Sequence, residues 1–279
     1  MSRITVIFLC AACLLHAQYR PANAAWNKPV EPFRIVGNLY YVGVADISSF
    51  LFTTPEGHIL LDGAFRESVP LIEANIGKLG FRMAEVRLLL NSHAHYDHAG
   101  GLAGLKAHTG ARLLSSPADA ALLARGGKGD FAFGDSLFFP PVEADALLQD
   151  GQQVRLGGTV LTAHFTPGHT KGCTTWTATV KDGGRDYRVV IPCSVTAPGY
   201  RLVDNAAYPG ILNDYEATFA KLRALPCDIF LASHSWDFGL KDKAGRKAPD
   251  AFVNPDEYRR YIDKGQAAIR AQAEKQKPR

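Results

Sequence analysis

The chain has 279 residues, and 31 lysines and arginines stand against 27 acidic residues, a formal net charge of +4. So small an excess, with no run of like charges before the tail, gives no electrostatic case for a nucleic-acid partner. Nearly half of the residues are hydrophobic, enough for a large core, and no apolar run beyond the first two dozen is long enough to cross a membrane.

Arg3 gives a short basic start, residues 4–15 form an apolar stretch of signal length, and Ala22-Asn23-Ala24 has the A-x-A form of a cleavage site. These features predict a signal peptide over 1–24, export to the periplasm and a mature chain from Ala25; a buried first helix is the alternative. Cys10 stands where a lipid-anchor motif at Cys13 wants leucine. Removing 24 of 279 residues leaves 255, read as one domain; Arg3 and Arg20 leave and no acid does, so the charge falls to +2.

Segments 40–44, 50–54 and 58–61 read as strands, with a Pro55-Glu56-Gly57 turn before the third. A helix over 68–79 ends at Gly80. An apolar run over 86–90 is a buried strand. It leads into His93-Ala94-His95-Tyr96-Asp97-His98. A helix near 102–108, a strand over 112–114 and a helix opened by Pro117 follow. Residues 126–141, rich in glycine, phenylalanine and proline, read as a long irregular loop. The second half gives strands over 154–156 and 160–165, a hairpin of 173–180 and 187–191, a helix over 216–224, a strand over 229–232 and a closing amphipathic helix over 255–275. Such alternation establishes α/β and no more. Cys173, Cys193 and Cys227 remain after export, so there is one disulfide and one free thiol, or pairing between molecules. Cys173 and Cys193 each lie at the edge of one of two neighbouring strands, which predicts that they form the bridge.

The histidine loop carries the chemistry. His93 and His95 are two apart, so an extended backbone points them the same way, and a turn at Asp97 and His98 can aim those at a second point. Imidazole and carboxylate are zinc ligands. One tetrahedral ion cannot easily use all four from so tight a loop, whereas two ions about 3.5–4 Å apart can. A histidine-rich surface loop is the plainer alternative, but an apolar strand feeds this loop and Gly100-Gly101 leaves it.

The motif resembles the signature of the metallo-β-lactamase superfamily, over nearly the whole mature chain. Asp62-Gly63, the 93–98 loop, Thr166-Pro167-Gly168-His169-Thr170 and Ala232-Ser233-His234 occur in the family's order. The chain is most similar to the third subclass of class B β-lactamases. That closer likeness rests on Leu122-Leu123-Ala124-Arg125-Gly126-Gly127, on Cys193-Ser194-Val195-Thr196-Ala197-Pro198-Gly199-Tyr200 and on Leu225-Pro226-Cys227-Asp228. The resemblance implies an αβ/βα sandwich of two facing mixed sheets with helices outside. It implies that two zinc ions bind per chain, the first on His93, His95 and His169 and the second on Asp97, His98 and His234. Taken singly, His169 would be a loop residue and His234 a satisfied core histidine. Asp62 could hydrogen-bond a ligand imidazole, or could be an ordinary turn aspartate.

There is no Ser-x-x-Lys and no Gly-x-Ser-x-Gly, so no side-chain nucleophile is marked. The expected activity is zinc-dependent hydrolysis of the β-lactam ring of penicillins, cephalosporins and carbapenems by a monomer. A metal-bridging hydroxide attacks and Asp97 orients it. Lactonases and thioesterases of this fold often add a bridging aspartate after the strand between the second and third ligand segments. Here that stretch reads Pro192-Cys193-Ser194-Val195. A lactonase, a thioesterase and a zinc-binding protein without turnover remain as alternatives. Ser194 and Thr196 are candidate partners of the substrate carboxylate, with strand-end capping as their alternative role. Trp26, Tyr41, Phe131 and Phe133 are candidates for an apolar rim.

Overall fold

In the computed structural model, residues 19–243, 245–246 and 248–278 are described, so the expected leader lies outside the described residues as far as residue 18. Strands β1 (Phe33–Val36), β2 (Leu39–Tyr41), β3 (Phe50–Thr54), β4 (Gly57–Leu61), β5 (Val86–Leu90), β6 (Arg112–Ser115) and β7 (Ala146–Leu147) form one sheet in chain order. Strands β8 (Gln153–Leu156), β9 (Thr159–Phe165), β10 (Thr174–Asp182), β11 (Arg185–Ile191) and β12 (Ile229–Phe230) form a second sheet, ordered β12-β11-β10-β9-β8. The helices are α1 (Val69–Lys78), α2 (Tyr96–Ala99), α3 (Leu102–Thr109), α4 (Pro117–Ala124), α5 (Ile211–Ala224), α6 (Leu240–Lys243) and α7 (Pro255–Gln276).

The first sheet is antiparallel from β1 to β4 and parallel from β4 to β7. A parallel step needs a crossover, which α1, then α2 with α3, then α4 provide. Alternation along its strands feeds two cores. Phe50, Phe52, Ile59, Leu61 and Leu90 face the second sheet, against Leu161, Trp176 and Val189. Leu51, Leu60 and Leu89 point to the outer face, against Ile72 and Ile76 of α1 and Leu102 and Leu105 of α3. A sheet covered on both faces therefore reads as a continuous apolar run. On the second sheet, α5 and α7 cover the outer face through Phe219, Leu222, Ile262 and Ile269. This is the αβ/βα sandwich with mixed sheets.

Several boundaries differ from the sequence reading. The strand expected over 40–44 stops at Tyr41, because the Val42 and Val44 amides turn to the carbonyls of Ser49 and Ile47. β1 and the two-residue β7 carry too little periodicity to be seen. Helix α5 begins at Ile211, more than a turn before residue 216. Its first turn holds Asn213 and Asp214, weak helix formers, and the burial of Ile211 and Tyr215 overrides that preference. Only residues 229–230 of the last strand make ladder pairs.

Candidate metal centre

The ligand residues leave the carboxyl ends of strands, where open α/β sheets place their sites. After β4, Asp62 adopts φ 65° and turns its carboxylate across to the end of β5. There Oδ1 accepts the Ser92 amide at 2.6 Å and Oδ2 accepts the Ser92 hydroxyl at 2.7 Å. Ser92 Oγ also lies 2.9 Å from His93 Nδ1. Asp62 thus reaches His93 through Ser92, while its Oδ2 lies 3.9 Å from His98 Nδ1. His95 caps α2, a single turn that carries Asp97 and His98 on its inner side. The turn is followed by Gly100 and then Gly101, where any Cβ would overlap the Gly63 carbonyl oxygen. His169 Nδ1 donates to the Thr196 carbonyl at 2.7 Å, and the Tyr200 hydroxyl donates to the His169 carbonyl at 2.9 Å. His234 follows β12 and is held by the Ser48 amide, which donates to the Ser233 carbonyl at 2.9 Å.

Two sets result. His93, His95 and His169 form one and Asp97, His98 and His234 the other, with the ligand atoms of each set within 4.8 Å of one another. His95 Nδ1 lies 3.1 Å from His169 Nε2, and His98 Nε2 lies 3.3 Å from His234 Nε2. Two nitrogens on one tetrahedral zinc, each about 2.0–2.1 Å from it, stand about 3.3 Å apart. His93 Nε2 is buried without a hydrogen-bond partner, as expected of a lone pair reserved for an ion. The donor set fits zinc.

The charges agree. Burial, reinforced by neighbouring imidazoles, pushes His93 and His169 well below the ordinary histidine pKa, and burial takes His234 to about 3. They are neutral, the form that ligates. Burial opposes the charges of Asp97 and His98, but their mutual attraction outweighs it. Asp97 is held below the ordinary carboxylate range and His98 above the ordinary imidazole value. Asp62, by contrast, is raised to about 6 by burial.

Above the sets lies a cavity of about 330 Å³ walled by Trp26, Phe133, Leu137, Thr196, Pro198 and Trp236, with His95, Asp97, His169 and His234 at its base. Of the four expected rim aromatics, Trp26 and Phe133 are there. Tyr41 is not: it is wholly buried between the sheets, its hydroxyl donating to the Val44 carbonyl. Phe131 turns away to pack edge-on against Tyr200 and Tyr208. Thr196 faces the cavity, whereas Ser194 is buried behind it, with the two hydroxyls 3.1 Å apart. Cys173 and Cys193 are joined, with Cα atoms 5.7 Å apart, and Cys227 is a buried free thiol.

Residues 42–234 match the profile of the Metallo-beta-lactamase superfamily. The chain belongs to that superfamily. It is 47% identical to a Cronobacter sakazakii metallo-beta-lactamase described by a HARLDQ motif, over 91% of this chain and 98% of that one, with a TM-score of 0.88. It is 41% identical to a subclass B3 metallo-beta-lactamase of Bradyrhizobium japonicum, over 91% of this chain and 97% of that one, with a TM-score of 0.85. It is also 37% identical to a hydroxyacylglutathione hydrolase of Pseudomonas aeruginosa over 84 residues, 30% of this chain and 25% of that relative. The chain thus matches about a quarter of that relative's length. It is an enzyme of a hydrolase superfamily, and its two His-rich donor sets are of the kind that takes a zinc-type metal.

Some residues that the fold brings to the candidate site carried little or no mark in the sequence. Trp236, 47% exposed, stacks on His234 with ring centroids 4.2 Å apart and meets Trp26 at 5.3 Å. Its place two residues after a ligand was the available signal. Asp130 lies in the irregular loop, its Oδ2 3.7 Å from His95 Nε2 and its Oδ1 accepting the Ala132 and Phe133 amides. Burial opposes its charge, but His95 outweighs that and holds its pKa below the ordinary carboxylate value. Asp119, inside α4, had no signal at all.

Proposed function

We propose that this chain is an exported, monomeric zinc β-lactamase that holds two ions and opens the ring of penicillins, cephalosporins and carbapenems. The observation that carries this reading is the joining of two three-ligand sets beneath one apolar cavity, in a chain 41–47% identical over nine-tenths of its length to metallo-beta-lactamases. His93, His95 and His169 would hold one ion, and Asp97, His98 and His234 the other. Bound zinc supplies Lewis acidity and a nucleophile at neutral pH.

The protein's own groups do the rest. The Asp97 carboxylate, ionised and turned to the cavity, orients the attacking water. Asp62, through Ser92, fixes the tautomer of His93 so that Nε2 faces inward, and the Thr196 carbonyl does the same for His169. The Thr196 hydroxyl, steadied by Ser194, donates to the carboxylate beside the β-lactam ring. Trp26, Phe133 and Trp236 hold apolar substituents and exclude bulk water.

The test is kcat/KM of the zinc-loaded protein on a penicillin, a cephalosporin and a carbapenem, beside a homoserine lactone and a glutathione thioester. Preference for the β-lactams supports the proposal. Preference for the thioester would assign the chain the activity named for its hydroxyacylglutathione hydrolase relative.

A further inference from the structure

The first metal set is assembled from two loops that are distant in sequence. His93 and His95 lie after β5, and His169 lies after β9. Nothing local forces these loops together, yet His95 and His169 nitrogens stand 3.1 Å apart. One side chain bonds to both loops and is not itself a ligand. Asp119 is 1% exposed. Its Oδ2 accepts the amide of Ala94, between the two loop histidines, at 3.0 Å, and the hydroxyl of Thr170, beside His169, at 3.2 Å. Its Oδ1 accepts the Gly172 amide at 3.1 Å.

We propose that Asp119 is a positioning residue for the first metal set, fixing the distance between its two loops. The inference rests on the zinc reading above but not on the substrate. A buried carboxylate is costly unless donors surround it, and all three donors here belong to the ligand loops. The helix end is built for this contact. Ser116 caps α4 and sends its own hydroxyl to the Gly172 carbonyl at 2.6 Å. A Cβ at Gly172 would overlap both Ser116 Oγ and Asp119, so glycine is what lets the second loop close onto the carboxylate. The second set has no such tie to Asp119: Asp97, His98 and His234 are held by the α2 turn and by the Ser48–Ser233 contact.

That asymmetry gives the test. Asp119→Asn keeps the shape but sets an amide donor against one side of this donor set, either the Gly172 N–H or the Ala94 N–H and Thr170 hydroxyl. Zinc affinity of the first set is read alone in an Asp97→Ala background, and affinity of the second set alone in a His93→Ala background. The expected result is a loss of about 10–100-fold at the first set, the range for groups that orient ligands. The second set should be unchanged, and the cobalt-substituted first set should show an altered visible spectrum. Thr170→Val, which removes one of the three bonds and leaves the carboxylate, should give a smaller loss in the same set. It serves alone if Asp119→Asn fails to fold. Unchanged zinc affinity at the first set in these variants overturns the proposal, as does an equal loss at both sets, which would mark a general packing role. Absence of β-lactam turnover leaves the titration readable, so the two readings fail separately.

Discussion

Replacing Cys173 and Cys193 together by serine removes a bridge that closes a short loop, since the two are 20 residues apart in sequence. The chain-entropy relation for a loop of that length gives about 3 kcal/mol of stabilisation. Both cysteines are buried, so the variant also places two hydroxyls in an apolar setting, which adds to the loss. For a chain of this size each kcal/mol moves the melting midpoint by about 2–4 °C, so a fall of roughly 6–12 °C is expected. The cost reaches the site as well. Cys193 precedes Ser194, and its carbonyl accepts the Ser233 hydroxyl at 2.5 Å, one residue before His234. KM should therefore rise along with the loss of stability. The assay is calorimetry of wild type and double variant, with denaturant-unfolded wild type refolded in reductant as a second arm. A double variant that melts with the wild type refutes the reasoning. So does peptide mapping under non-reducing conditions that finds Cys227 in the bridge. Burial pushes the Cys227 thiol up to about 12, so it offers little thiolate for exchange at neutral pH.

Elemental analysis of gently dialysed protein should find about two zinc ions per chain, as two three-ligand sets demand. EDTA should abolish activity and added zinc restore it, while traps that acylate serine should do nothing; an acylated serine formed at competent rates would end the mechanism. Asp97→Ala should lose the second ion and about a hundredfold or more in kcat, measured by steady-state hydrolysis and metal analysis together. Ser194→Ala should raise KM with kcat little changed, because a carboxylate contact is made in ground and transition states alike. Thr196→Val should raise KM further, since Thr196 faces the cavity and Ser194 lies behind it. Trp236→Ala should weaken substrates with aromatic substituents by up to roughly tenfold, the value of one aromatic pair, and leave those with small substituents unchanged.

The sequence by itself determined the strands that read as apolar runs or as alternation over four or more positions, the helices with proline or glycine at their ends, and the ligand types. His93, His95, Asp97 and His98 were legible because their spacing is local, and a strand or a single turn converts spacing into direction. His169 and His234 were legible only through the order of motifs, since each alone is an ordinary histidine. Tertiary structure decided everything that depends on which segments meet. Tyr41 sits in a strand of the inner face and is consumed by the core, while Trp236 lies at the cavity, stacked on His234 and half exposed. Asp119 and Asp130 lie 21 or more residues past the histidines of that loop, inside a helix and an irregular loop whose patterns mark neither. Hydrophobic periodicity reports the environment of a face, averaged over a few turns. Hydrogen bonds donated by two loops to one carboxylate are set by the packing of whole layers, and no local pattern encodes them.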